Sequence, residues 1–237
     1  LDVATSPDIS GISLHRPDDV LNSMPGIMMH RGARNTNRIT IRGAGARSQY
    51  TTTKIKAYLN QIPLTSGTGE TTVEDIDLQL ANRITVLKGP AASAYGAALG
   101  GTLLYHMGAS SGKGLNVTQQ TSMASFNTLR NTSTVSWADH RTAVRLAYSH
   151  RESNGFRKND DYKRDAFTLT AEHQINTALR LRYLGRWHKV KAYIPSSLNQ
   201  ADFEQNPQAA AQSWASVNGF EEYSKWLQGL TLESKLI

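Results

Sequence analysis

The amino-acid sequence predicts a mainly β protein: a small mixed α+β domain, then antiparallel strands of the kind that build a transmembrane β-barrel. Three observations predict it. Strand-like segments outnumber helix-like ones, the pattern of the chain changes near Lys113, and beyond that point apolar and polar residues alternate with a period of two.

Residues 1–113 read as the mixed domain. In "RPDDVLNSMPGI", Asp18 and Asp19 follow Pro17 in a first turn, Val20, Leu21 and Met24 supply an apolar stripe, and Pro25 with Gly26 stops a short helix. "NRITIRG" is an alternating strand ended by Gly43, and "KIKAYLNQIPL" is a second with Asn60-Gln61 as its turn. "EDIDLQLANRITVLKG" reads as a helical turn and a third strand. The run from Gly89 to Tyr105 is uncharged but too rich in Gly for an ordinary helix, and its lysine precedes the glycines, unlike that of a phosphate loop. No segment reaches the roughly 18 apolar residues of a membrane helix, a test that barrel strands escape.

Residues 114–237 read as the barrel part. "RTAVRLAYSH" puts Thr142, Val144, Leu146 and Tyr148 on one face and Arg141, Ala143, Arg145 and Ala147 on the other. "TALRLRYLGRWH" sets Leu179, Leu181, Tyr183 and Trp187 against Arg180, Arg182 and Arg186. "DAFTLTAEH" opposes Phe167, Leu169 and Ala171 to Thr168, Thr170 and Glu172, and "TSTVSWAD" carries Val135 and Trp137. Each strand alone suits a soluble sandwich. Together they have tight links at Asp139-His140 and Ile175-Asn176, long polar links at 151–164 and 189–223, and arginines on the inner face, which a water-filled lumen accommodates. "FEQNPQAAAQSWASVNGFEEYSKWL" suggests a short helix inside the second long link.

The 237 residues, 39% hydrophobic and 19% charged, exclude disorder. A net charge of +7 fits a solvated basic surface, an anionic ligand or nucleic acid, and no Lys/Arg block exceeds two residues. The absence of cysteine removes disulfides, thiolate metal sites and cysteine nucleophiles. His30, His106, His140, His150 and His188 are too scattered for metal-ligand spacing. "GAGARS" lacks the third glycine and following helix of a dinucleotide site, and Ser93 lacks a nucleophile elbow. The beginning at Leu1 does not read as a signal peptide.

Four segments in order resemble the plug domain of TonB-dependent outer-membrane receptors: "DDVLNSMPGI", "ITIRGAG", "KAYLNQIPL" and "RITVLKGPAASAYGAALGG". "SHRESNGFRKNDDYKRDAFTLTAEH" resembles a receptor's outside loop, with Asn154, Gly155, Phe156 and Arg157 where Asp-Gly-Tyr-Arg is usual. The resemblance implies structural turns at Pro25, Gly26, Gly43, Gly89, Pro90, Tyr95, Gly96, Gly100 and Gly101, with the glycine-rich run leaving the plug sheet to pack along the barrel wall. Lys88 stands for the usual arginine before Gly-Pro, Asn60-Gln61 for Asp-Gly, and Leu103-Leu104 for Ile-Asn. Arg42 and Lys88 match plug-to-barrel latch positions whose glutamate partners would lie beyond Ile237. The resemblance further implies a plug with an incomplete N-terminus and the opening of a barrel of about 22 strands, of which about six are legible, and a TonB-binding segment before Leu1.

Function follows the same resemblance. The loops "HRGARNTN", "GARSQY" and "PLTSGTGE" would face the ligand, offering Arg31, Arg34, Arg47, Gln49, Tyr50 and Thr65 to an oxygen-rich, anionic ferric siderophore or ferric citrate. Iron would arrive already chelated, so no cofactor or protein metal site is expected, and no covalent chemistry. The expected partners are TonB with its inner-membrane energising complex, outer-membrane lipid and the chelate, in the bacterial outer membrane. Cobalamin or a glycan is the alternative cargo. A soluble basic β-domain binding nucleic acid is disfavoured because Tyr148, Tyr183 and Trp187 sit near strand ends instead of mid-strand.

Overall fold

The computed structural model describes residues 2–5, 9, 17–31, 37–47, 52–73, 76–96, 98–109 and 112–235, in two units, Leu1–Met107 and Gly108–Ile237. In the first unit, β1 (Asp2–Thr5) is followed by α1 (Pro17–Asn22), β2 (Ile27–Arg31), β3 (Asn37–Ile41), β4 (Ile55–Leu59), β5 (Ile62–Pro63), β6 (Arg83–Lys88) and β7 (Gly101–His106). β2 and β3 form an antiparallel hairpin, and the other strands form a five-stranded mixed sheet in the order β1-β6-β7-β4-β5, with β4 and β7 parallel. The core is assembled from alternate strand positions. Ile39, Ile41, Ile55, Leu59, Ile84, Val86, Leu103 and Tyr105 are buried, joined by Val20 and Leu21 of α1. Burial pushes the Tyr105 phenol well above its usual range.

The glycine-rich run leaves the sheet after Lys88 but rejoins it at Gly101. Gly89–Tyr95 turns as a 3-10 helix, and Gly101–His106 returns as the middle strand. The reason is packing: Leu103 and Tyr105 alternate into the core. Gly101 lets β7 pass at φ +144°, where a Cβ would lie 2.6 Å from the Leu87 carbonyl oxygen and 2.8 Å from Ile41 Cδ1. The β4–β5 turn is closed by Asn60 and Gln61, both at positive φ as in the tight turns that suit twisted hairpins. Asn60 offsets that conformation by holding the end of β7. Its Nδ2 donates to the Met107 carbonyl at 2.7 Å, and its Oδ1 accepts from the Met107 N–H at 2.8 Å.

The second unit is one antiparallel sheet in which neighbours in sequence pair in space: β8 (Gly114–Ala124), β9 (Thr128–Ala138), β10 (Thr142–Ser153), β11 (Tyr162–Gln174), β12 (Leu179–Tyr193) and β13 (Phe220–Ser234). Helices α2 (Gln200–Gln205) and α3 (Gln212–Ala215) lie in the β12–β13 link, two short helices where the sequence suggests one. Links at one end are short, 139–141 and 175–178; the other end has 125–127, 154–161 and 194–219.

Register gives the sheet two unlike faces. One carries Val144, Leu146, Leu169, Leu181 and Leu230, bounded by an aromatic row in which Tyr148, Phe167, Trp187 and Trp226 stand in register. Successive ring centroids in that row are 4.8, 5.9 and 6.1 Å apart. Beyond the row the same face turns charged, with His150, Asp165, Lys189 and Glu222. From Leu179 to Trp187 the apolar band is roughly 20 Å tall for strands tilted by about 40°, near the height of a barrel's lipid-facing belt. The opposite face is polar. Arg130, Arg145, Arg151, Arg164, Arg180, Arg182, Arg186 and Lys225 share it with the acids Glu172, Glu221 and Glu233 alone among its strand residues. That difference accounts for five of the seven net positive charges of the chain.

Candidate ligand site

The loop after β3 builds a cavity of about 520 Å³ lined by Gly43, Ala44, Gly45, Ala46, Arg47, Thr53, Lys54 and Leu99. Its shape comes from a tight turn. Arg42 and Gly43 both adopt positive φ, and Ala44 and Ile41 exchange backbone hydrogen bonds at 2.9 and 3.1 Å. Gly45, at φ +95°, then folds the chain back so closely that a Cβ would sit 2.8 Å from the Ile39 carbonyl oxygen. Arg38 Nη1 holds the far side through the Ala46 carbonyl at 3.3 Å. On the other wall, the Gly100 N–H donates to the Lys54 carbonyl at 2.9 Å and ties Lys54 to the start of β7.

The side chains that reach the opening are two exposed cations, Arg47 and Lys54, and Leu99, which is 77% exposed. The remaining lining is small or is Thr53, leaving room for a ligand beside the cations. Such a site attracts an anionic, oxygen-rich molecule, with the guanidinium fork able to grip a carboxylate at two points. Lys54 and Leu99 were not singled out in the sequence. Lys54 opens "KIKAYL", where the alternating pattern reads as strand alone, and Leu99 reads as part of a packing segment.

Of the expected ligand residues, Arg47 is at the cavity. Arg34, Gln49, Tyr50 and the side chain of Arg31 lie outside the described residues. Thr65 is engaged in the fold: its Oγ1 meets Thr71 Oγ1 at 2.8 Å and accepts from the Ala57 N–H at 3.4 Å, while Thr71 Oγ1 donates to the Ile55 carbonyl at 2.8 Å. Its hydroxyl links the loop 64–71 to β4 and does not line the cavity. Arg42 is exposed, and its N–H donates to the Gly26 carbonyl at 2.8 Å. The Lys88 ammonium is held within the first unit by the Asp2 carboxylate and the Pro25 carbonyl, its side chain only 6% exposed. Tyr95 packs on Tyr58 and accepts its hydroxyl through the Tyr95 carbonyl at 2.7 Å.

Residues 1–102 match the family model described as "TonB-dependent Receptor Plug Domain". Among solved structures, the chain is similar to the ferric citrate transporter FecA in the unliganded form, at 18% identity and TM-score 0.80 over 99% of this chain and 37% of that one. It is similar to FpvA of P. aeruginosa bound to heterologous pyoverdines, at 15% and 0.73 over 99% and 31%. It is similar also to the siderophore receptor PirA from Acinetobacter baumannii, at 17% and 0.66 over 98% and 36%. At these identities the likeness is one of fold. The chain spans about a third of the length of the structures it matches.

Proposed function

Because the chain carries a TonB-dependent receptor plug domain at residues 1–102, we propose that it works as the N-terminal part of an outer-membrane receptor that imports a ferric siderophore or a ferric citrate-type chelate. The observation that carries this reading is the cavity on the plug loop, where Arg47, Lys54 and Leu99 flank a space whose other walls are Gly, Ala and Thr53. Two cations on a loop fixed by Gly45 suit a preformed site for chelate oxygens.

The second unit supports the membrane part of the reading. Its apolar face, bounded by the aromatic row, suits lipid, and its polar face suits a lumen. Ligand bound at the plug shifts the plug, TonB engages the periplasmic side, and energised pulling opens a path. Binding alone redistributes existing populations, so uphill import needs that external work. The chain performs no covalent chemistry, and iron is cargo.

The test is growth of the host with and without the intact gene on single iron sources under iron starvation, with cobalamin and glycan media alongside. Loss of growth on one ferric chelate supports the reading and names the ligand class. Normal growth on every iron source, with loss on cobalamin or a glycan, overturns the iron assignment.

A further inference from the structure

The first strand of the plug is held to its sheet by little besides its backbone. β1 lies at the edge of the five-stranded sheet and pairs with β6 alone, from Asp2 opposite Val86 to Thr5 opposite Arg83. Of its four residues only Ala4 is buried, and Val3 is 47% exposed, so apolar contact adds little to four rungs. Asp2 is the exception. Its carboxylate meets the Lys88 ammonium, whose side chain is nearly buried.

The same ammonium donates to the Pro25 carbonyl, in the turn between α1 and β2. The next carbonyl, that of Gly26, accepts from the Arg42 N–H at 2.8 Å, and Arg42 begins the tight turn that Ile41 and Ala44 close beneath the cavity. Asp2, Lys88, Pro25, Gly26 and Arg42 therefore form one unbroken series of polar contacts and peptide bonds. It runs from the edge strand to the loop that carries Arg47. A contiguous series of this kind can carry coupling between two places that each have a bound and a released state.

We propose that Lys88 is a clasp that makes release of β1 and release of the cargo one event. The proposal rests on the importer reading, in which TonB draws on the chain N-terminal to β1. Force from that side peels the edge strand one rung at a time and meets Asp2 first. Once Asp2 is drawn away, a nearly buried ammonium is left without its counter-charge, the most costly way to break such a pair. The ammonium turns to water and lets go of Pro25, the contact of Gly26 with Arg42 slackens, and the cavity turn loses its backing. Coupling between sites is reciprocal, so a chelate that steadies the turn also holds β1 in place. Lys88 touches no cargo; it is a positioning residue that keeps the site closed until the pull arrives.

The experiment is amide hydrogen exchange of the full receptor in detergent, with equilibrium binding of ferric citrate and ferric dihydroxybenzoate to the same samples. Asp2→Ala is expected to speed exchange at 3–5 about tenfold or more. It is also expected to speed exchange at 41–46, and to weaken whichever probe binds, by about fivefold or more each. Exchange at 55–59, in β4, should not change, and faster exchange there as well would mean general loosening and overturn the clasp. Lys88→Arg keeps both donations and is expected to match wild type. The swap Asp2→Lys with Lys88→Asp restores the ion pair but not the donation to Pro25, so it should protect 3–5 and leave 41–46 fast. Asp2→Ala that speeds 3–5 alone or changes nothing, or a swap that restores both segments, overturns the clasp and leaves the importer reading standing. Wild-type receptor that binds neither probe nor any other ferric chelate overturns the importer reading, while the exchange rates still decide whether β1 and the cavity turn are coupled.

Discussion

The first unit turns its apolar side chains inward and the second turns them outward, although both are built of β-strands. Eleven of the twelve largest fully buried side chains, from Val20 to Tyr105, belong to the first unit; Val190 is the one from the second. In the second unit Leu115, Val117, Trp226, Leu230 and Leu232 are more than 60% exposed, while Arg130, Arg164 and Arg186 are buried. Strand alternation states which residues share a face, not which face meets water. The surroundings decide that, an apolar core in one case and a proposed lipid belt in the other.

The sharpest way to break the comparison is in the plug core. Leu103→Ala removes a fully buried side chain from the middle strand and is expected to cost about 2–5 kcal/mol, measured as a shift in denaturant midpoint for the receptor refolded into lipid vesicles. Val144→Arg, in the middle of the apolar face, is expected to cost about 2–4 kcal/mol in a bilayer. In detergent or water that penalty should shrink, and an equal penalty in both media would remove the lipid assignment of the face.

Smaller effects sharpen the picture. Gln61→Gly relieves a left-handed φ of +74° in the β4–β5 turn and is expected to stabilise the plug by about 1 kcal/mol. In the short turn at 139–141, the Arg141 and Thr142 N–H groups donate to Asp139 Oδ1 at 2.7 and 2.6 Å and hold its carboxyl below the usual carboxylate range. A depressed folded-state pKa contributes stability above the unfolded value of about 3.9, and that contribution is lost as pH falls through the folded value. Stability is thus expected to be flat from pH 7 to about 5 and to fall in acid. The acid loss should be smaller in Asp139→Asn, which keeps the acceptor but does not titrate.

Much of this fold is legible in the sequence because its signals are local. The faces of β10, β11 and β12 can be read from alternation, and α1 from Pro17 and the Pro25-Gly26 stop. What is not legible depends on distant partners or backbone approach. β7 hides behind Gly100 and Gly101, whose value is the space they leave beside Ile55 and Leu87. Lys88 is legible as a cation before Gly-Pro, but the Asp2 carboxylate that holds it lies 86 positions away. Arg157 is visible as part of a loop motif, but the three carbonyls it holds lie 38 to 52 positions further on. At the candidate site, Arg47 is legible as a cation on a glycine-rich loop. Lys54 and Leu99 join it through the packing of Gly100 on Ala44 and its hydrogen bond to the Lys54 carbonyl.

The most direct test of the importer account is uptake of radiolabelled ferric chelate by cells expressing the intact receptor, with wild-type plug or Arg47→Ala with Lys54→Ala, before and after the proton gradient is collapsed. The account predicts that wild-type cells still bind the chelate but stop importing it when the gradient is lost, and that the double variant binds it about 5- to 150-fold more weakly. Import that persists without the gradient, with affinity unchanged in the double variant, would contradict both the energised mechanism and the placement of the site.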